Sequence, residues 1–322
     1  QVVELAPGAE AQLTFLLGAG IDRPTAVALA ERYAATALIE AEFQAARGDQ
    51  PLADLSSAAL DPPHAEAFSP PNLQQRDPKA SATAILSESD SESEDELLQF
   101  WNGHGGFSAD GREYVIRIRP DAGGRPQLPP QPWTNVIANP NFGFLASETG
   151  AGYTWSQNSR ENRLTPWYND PVLDPHGEAL YLRDEDSGTF WSLQPGPCPQ
   201  PVPYEARHGF GYSCYRHTSQ GLEQEVCVFV PREDPVKLAL IRLRNLGDTP
   251  RCLSLFAYWR LVLGVLPTDY MNELRVLRDP ASGALFAENR NREFTGRIAF
   301  AAVSQSDKPV YMTGDRATFL GT

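Results

Sequence analysis

The chain has 322 residues, a formal net charge of −14, 41% hydrophobic residues, 28 prolines and 25 glycines. That length accommodates two domains, or one large β domain with extras. No run of about 18 apolar residues is present to span a bilayer, and the acidic balance has the wrong sign for nucleic acid or an anionic membrane surface.

Cys198, Cys214, Cys227 and Cys252 are few for this length and show no CxxC spacing, which argues against a disulfide scaffold and mildly favours a reducing, cytoplasmic setting. The start, Gln1-Val2-Val3-Glu4, lacks an initiator Met, a basic n-region and an h-region, so a piece of a longer polypeptide is expected and no signal peptide is visible.

The first elements are a strand and a helix. Gln12–Leu17 follows a Pro7-Gly8 turn and ends at Gly18. One helix is then predicted, with Asp22 as N-cap, Pro24 in its first turn and Gly48 as its stop. Val27, Ala30, Ala34, Ala37, Leu38, Ala41 and Ala45 mark its apolar stripe, whose packing partner is expected to lie largely outside this chain. Residues 49–96 read as a flexible linker rich in Ser and Pro. It ends in the acidic tract Glu88, Asp90, Glu92, Glu94, Asp95 and Glu96, which cannot bury enough apolar surface to offset chain entropy.

From Leu97 the pattern alternates. Tyr114–Arg119, Gly211–His217, Glu223–Val230, Lys237–Arg244, Cys252–Trp259 and Arg297–Val303 all read as strands. Turns such as Asn245–Asp248 and Ser187-Gly188 separate them. Many strands with almost no helical period predict a mainly β, antiparallel sandwich or barrel, and two large packed sheets suit residues 97–322.

The densest chemistry lies in Gly150–Pro171, where aromatic rings alternate with Arg, Asn, Asp and Gln. Sugars present apolar C–H faces and a rim of hydroxyls, and this mix matches both. The plain alternative is a polar loop pinned to the sheet by its Trp and Tyr. Trp101–Phe107 carries glycines but no following βαβ unit, so it reads as a structural loop at a sheet edge. His208 is either a ligand contact or a satisfied histidine at a strand start. A metal site from His208, His217, Cys214 and Cys227 matches no known spacing. Asp170, Asp174, Glu178, Asp184, Glu185 and Asp186 are the carboxylates that glycoside hydrolysis would require as a pair. Those of Arg183–Gly188 read as a solvated hairpin turn.

Residues 97–322 resemble the N-terminal β-sandwich of the glycoside phosphorylase family that contains cellobiose and chitobiose phosphorylases. Within it they are most similar to the phosphorylase-like region of bacterial cyclic β-1,2-glucan synthases. The residues that carry the resemblance are Trp133–Phe144, the 150–171 segment, Gly177–Asp184, Tyr204–Tyr212 and Thr313–Gly321. Leu5–Gly18 looks like the last strand of a preceding sandwich of the same kind, with the helix after it as a linker.

The resemblance implies a large, galactose-mutarotase-like super-sandwich and a helical linker. It also implies an (α/α)6 barrel that carries the general acid and the phosphate site, outside this chain. It further implies a β-glucan oligosaccharide as partner, a possible homodimer, no cofactor beyond inorganic phosphate used by the parent enzyme, and no catalysis by this stretch alone. Tyr153, Trp155, Arg160, Arg163, Trp167 and Asn169 of the matching loop are the candidates for sugar-side contacts. The alternative is a structural or dimerisation platform without sugar affinity. Because the sandwich's last strand is expected to be missing, an unpaired sheet edge and poor solubility are expected.

Overall fold

A computed structural model describes residues 1–48, 98–265, 274–289, 296–304 and 310–320. The linker reading of 49–96 lies outside the described residues. The chain begins with β1 (Val2–Leu5) and β2 (Glu10–Gly20), then α1 (Arg23–Arg32) and α2 (Thr36–Arg47). There follow β3 (Gly105–Phe107), β4 (Glu113–Ile118), β5 (Thr134–Asn139), β6 (Phe142–Ser147) and β7 (Gly152–Ser156). Next come β8 (Glu178–Asp184), β9 (Phe190–Ser192), β10 (Tyr204–Gly209), β11 (Tyr212–Ser219), β12 (Leu222–Phe229), β13 (Val236–Asn245) and β14 (Arg251–Trp259). The last strands are β15 (Leu274–Arg278), β16 (Leu285–Asn289) and β17 (Ile298–Val303). Among the described residues, no helix is long and apolar enough to cross a membrane.

Ten strands form one antiparallel sheet in the order β15-β16-β17-β2-β13-β12-β11-β10-β4-β3. A second layer faces it, split into a four-stranded sheet, β1-β14-β8-β9, and a three-stranded sheet, β5-β6-β7. The main core lies between these layers. Ile116, Tyr215, Val226, Ile241 and Leu243 of the large sheet meet Phe142, Phe144, Leu182, Trp191, Leu253 and Leu255. This is the mainly β, antiparallel two-layered sandwich that the alternation predicts and the larger form that the resemblance implies, with its smaller layer divided.

β2 is paired along its length with β13, from Val236↔Gly18 to Arg244↔Glu10, and on its other edge with β17. The strand read as the tail of a preceding sandwich therefore sits, in this structure, inside the large sheet. It is longer than the sequence suggested and runs through Gly18. A Cβ there would come within 2.5 Å of the Phe300 ring, so the residue serves close packing rather than a stop.

The single helix predicted from Asp22 to Gly48 is two. The Asp22 carboxylate accepts the Thr25 N–H at 2.8 Å, and Gly48 ends α2 in the left-handed region at φ 68°, as the sequence indicated. Between them, Ala35 is extended. The break re-phases the apolar stripe. Ala26, Leu29, Ala30 and Tyr33 face the sheet from the first helix and Ile39 and Phe43 from the second, whereas Ala37, Ala41 and Ala45 are exposed. The packing partner is present within the chain. It is the outer face of the large sheet, through Leu16, Phe229, Leu238, Leu240 and Phe300.

Cys214 and Cys227 lie opposite each other on β11 and β12 and are joined as a disulfide on this helix-facing side, contrary to the cysteine reading from sequence. A spacing of 13 residues carries no cross-strand information until the hairpin register is known.

Candidate functional site

The 150–171 segment leaves the three-stranded sheet through β7 and returns beside it. Leu164 donates to the Thr154 carbonyl at 2.8 Å, and Ser156 donates to the Asn162 carbonyl at 3.0 Å. The crest between them is built by Asn158, whose side-chain oxygen accepts the N–H groups of Arg160 and Glu161 at 2.8 and 2.9 Å.

Four of the six sequence candidates come together. The Tyr153 ring stacks on Trp167 with centroids 5.1 Å apart and planes at 27°, and it touches Trp155 at 5.1 Å. The Arg163 guanidinium sits 5.5 Å over the Tyr153 ring and donates to the Val265 carbonyl at 3.3 Å. Burial pushes the Tyr153 phenol up from its ordinary pKa. Tyr153 and Trp155 are buried, while Trp167 and Arg163 are half-buried. Trp155 packs so closely over Gly143 that a Cβ there would meet its ring at 2.5 Å.

The other two candidates stand apart. Arg160 is exposed and pairs with Glu161 at 3.4 Å. Asn169 is exposed and left-handed at φ 50°.

Beneath the loop lies a charged clamp that the sequence reading missed. The Thr154 and Thr165 hydroxyls donate to one oxygen of Glu178 at 2.6 and 2.5 Å, and the Lys237 ammonium donates to the other at 2.6 Å. Lys237 also lies 4.4 Å over the Phe144 ring. Burial pushes the Glu178 carboxyl up, but the Lys237 ammonium and the two hydroxyls more than offset this, so it stays below the ordinary carboxylate range. The available signal was Lys237 itself, a charge placed in a strand that is apolar on both faces, and such a charge calls for a buried partner.

The remaining sequence candidates are structural. His208 is held between the Ser213 hydroxyl at 2.9 Å and the Trp133 carbonyl at 3.0 Å, and burial lowers its pKa to about 4. The four metal candidates do not converge, since the two cysteines bond to each other and His217 stacks on Tyr204 at 4.3 Å in the core. No cluster able to hold a metal is found among the described residues. Trp101–Phe107 leads into the edge strand β3, as expected.

Asp184 is a correction, because it is buried and paired with Arg251 instead of solvated, while Glu185 and Asp186 are exposed. Asp174 accepts the Ser147 and Thr149 hydroxyls, both at 2.7 Å. Asp170 caps Val172 and Leu173 at 2.9 and 3.0 Å. These contacts commit Asp170, Asp174 and Asp184 to the fold.

A groove of about 860 Å³ lies elsewhere, on the large sheet. A row of Arg117, Glu205, Arg216, Glu225 and Arg242 runs across it, already joined into ion pairs. It offers charge but no exposed aromatic face, so the loop remains the better candidate for a sugar.

Comparison with known sequences agrees with the fold. The profile of the glycosyl hydrolase 94 supersandwich domain matches residues 112–322. The chain is 40% identical over 245 residues to the cyclic β-(1,2)-glucan synthase NdvB of Rhizobium meliloti (strain 1021), covering 74% of this chain and 8% of that protein. It is 32% identical over 172 residues to the N,N'-diacetylchitobiose phosphorylase of Vibrio furnissii, covering 52% of this chain and 20% of the relative. With the 3-O-β-D-glucopyranosyl-β-D-glucuronide phosphorylase of Paenibacillus borealis it shares 30% identity over 51% of this chain and 19% of the relative. The chain thus spans a fifth or less of each of these relatives.

Proposed function

We propose, since this chain belongs to the glycosyl hydrolase 94 family through its supersandwich domain, that it is the carbohydrate-facing sandwich of an enzyme acting on β-glucan. It would shape the glucan site of a helical-barrel catalytic domain. The observation that carries this reading is the Tyr153–Trp167 stack with Arg163 across it. A stack of apolar rings with a guanidinium laid over it suits one face and the hydroxyl rim of a pyranose. The clamp of Glu178, Lys237, Thr154 and Thr165 fixes that surface before any ligand arrives, so little ordering cost falls on binding.

The burial of Tyr153 and Trp155 supports a narrower assignment than the sequence alone. These two residues form the floor, while Trp167, Arg163, Arg160 and Asn169 offer the accessible contacts. The same burial favours the second reading, in which the loop is a docking platform for a barrel or a second copy of the chain.

Calorimetric titration with linear β-1,2-glucan, with a β-1,4-glucan as control, decides between them. Selective binding that weakens by about 1–3 kcal/mol in Trp167→Ala supports the sugar reading. No binding by the folded chain, together with a concentration-dependent mass in light scattering that sugar does not alter, supports the platform.

A further inference from the structure

The four-stranded sheet turns a second aromatic surface outward. Along β14, Leu253 and Leu255 point into the core, so Phe256, Tyr258 and the following Arg260 face away from it at two-residue spacing. The β14–β8 register sets Tyr181 directly beside Phe256, and the β8–β9 register sets Phe190 beside Arg183, two residues on. Phe256 and Phe190, on the two strands flanking β8, are 37% and 57% exposed, which is high for rings on one sheet face.

This surface is continuous with the loop. Arg260 donates to the Tyr168 hydroxyl, and its guanidinium lies 5.9 Å over the Tyr168 ring, one residue from Trp167. The surface also already holds a flat ring. Phe319, in the short helical turn Arg316–Leu320, stacks on Tyr258 with centroids 5.3 Å apart and planes at 25°, and meets Phe256 edge-on at 6.5 Å.

We propose that this outer face is a second carbohydrate-binding surface, a track that carries a longer neutral β-glucan chain away from the loop along β14. Phe319 marks the geometry the face accepts, a planar apolar disc laid on Tyr258, and a pyranose presents the same kind of face. The charges on the track, Arg183 and Arg260, are planar donors suited to hydroxyl pairs. Arg183 also pairs with Glu185 at 3.8 Å, at the β8 end of the track. The run from Phe256 to Arg260 covers about 14 Å at ~3.4 Å per residue, more than a single ring occupies. The face therefore acts on chain length. The proposal rests on the reading that the loop binds sugar, and Phe319 competes with the chain for Tyr258.

The test is titration of the full chain with linear β-1,2-glucan oligosaccharides of increasing length. In the double variant Phe256→Ala/Tyr258→Ala, affinity for the shortest binding oligosaccharide stays within twofold, while affinity for long ones falls about tenfold, as expected for two lost stacking rings. Phe319→Ala raises long-chain affinity several-fold. Circular dichroism melts verify folding, and the milder Tyr258→Leu repeats the test should the double variant unfold. An unchanged length dependence in a folded variant overturns the track and leaves the loop reading intact. Loss in the β14 variant with no loss in Trp167→Ala keeps the track and removes the loop. No binding at any length overturns both.

Discussion

Toward the helices, the ten-stranded sheet presents Leu16, Phe229, Leu238, Leu240 and Phe300 to Leu29, Tyr33, Ile39 and Phe43. Toward the smaller sheets it buries His217 and Gln224 and half-buries Lys237 among its apolar side chains. The helix side is thus packed beneath the helices by hydrocarbon and one disulfide, with polar contacts such as Tyr33–Asp234 and Arg242–Glu40 at its margins. The other side is pinned by directed polar contacts, such as the Trp191 indole N–H donating to Gln224 at 2.8 Å and the clamp on Glu178. Apolar packing tolerates small slips, whereas a hydrogen-bonded ion pair fixes a position and is costly when half-made. The polar side is also the side from which the aromatic loop rises. The clamp on Glu178 thus sits where a binding surface needs to be held.

The largest expected effect breaks this contrast at its strongest point. Lys237→Ala strands the Glu178 carboxylate in the core and is expected to destabilise by about 3–5 kcal/mol in chemical denaturation. Replacing both partners, as in Glu178→Gln/Lys237→Met, is expected to recover much of that loss, since no charge is left unpaired. If the single and double variants are equally unstable, the clamp contributes volume rather than charge pairing.

On the helix side the corresponding test is covalent. Cys214→Ala/Cys227→Ala opens a loop of 13 residues, and the chain-entropy model assigns about 3 kcal/mol to a closure of that size. Reducing agent applied to the parent chain is expected to shift its melt in the same direction. An unchanged melt under reduction would show that the alanines of α1 and the rings of α2 hold this face without the link.

Acid sharpens the comparison further, because the buried histidines lie on the polar side. Burial lowers His208 and His217 to about 4 and also lowers His176. Their folded pKa values sit below the unfolded value of about 6.5, so their contribution is complete above that pH. It is lost as pH falls toward 4, at up to about 1.4 kcal/mol per pH unit for each histidine. Glu148 runs the other way. Burial raises it to about 7, so its protonated folded form gains stability below that pH and loses it as pH rises through it. With three histidines against one glutamate, net stability is expected to fall between pH 6.5 and 4.5. His217, whose ring nitrogens have no partner, is the histidine to remove. His217→Phe is expected to flatten the acid limb, while helix-side variants leave its slope unchanged.

The strands of the large sheet were legible because their alternation survives in sequence. Lys237–Arg244 lies inside β13, and Gly211–His217 begins one residue before β11. The helix break was not legible. Alanines at 34, 37, 41 and 45 continue a helical period as well as any residues, and only the anchoring of Tyr33 through its hydroxyl to Asp234 at 2.6 Å shows where the stripe is re-phased. The disulfide and the Glu178–Lys237 pair join residues 13 and 59 positions apart, so they depend on register rather than on local pattern. In the loop, composition correctly marked the aromatic cluster. It gave Tyr153 and Arg160 the same standing, however, although one is a buried floor and the other an exposed crest.

That last difference supports the smallest and most discriminating variant. Arg160 is 81% exposed at its side chain and pairs only with its neighbour Glu161, so Arg160→Ala is expected to alter stability by less than about 0.5 kcal/mol. Trp155→Ala, by contrast, removes a ring that fills the space over Gly143 and is expected to cost about 3–5 kcal/mol. A fall in glucan affinity in Arg160→Ala therefore reports a lost contact, because the fold is untouched. The same fall in Trp155→Ala reports a collapsed floor. If Arg160→Ala leaves affinity unchanged while Trp167→Ala reduces it, the sugar lies against the ring stack and the crest is only a turn. If both reduce it, the site extends from the stack up to the crest.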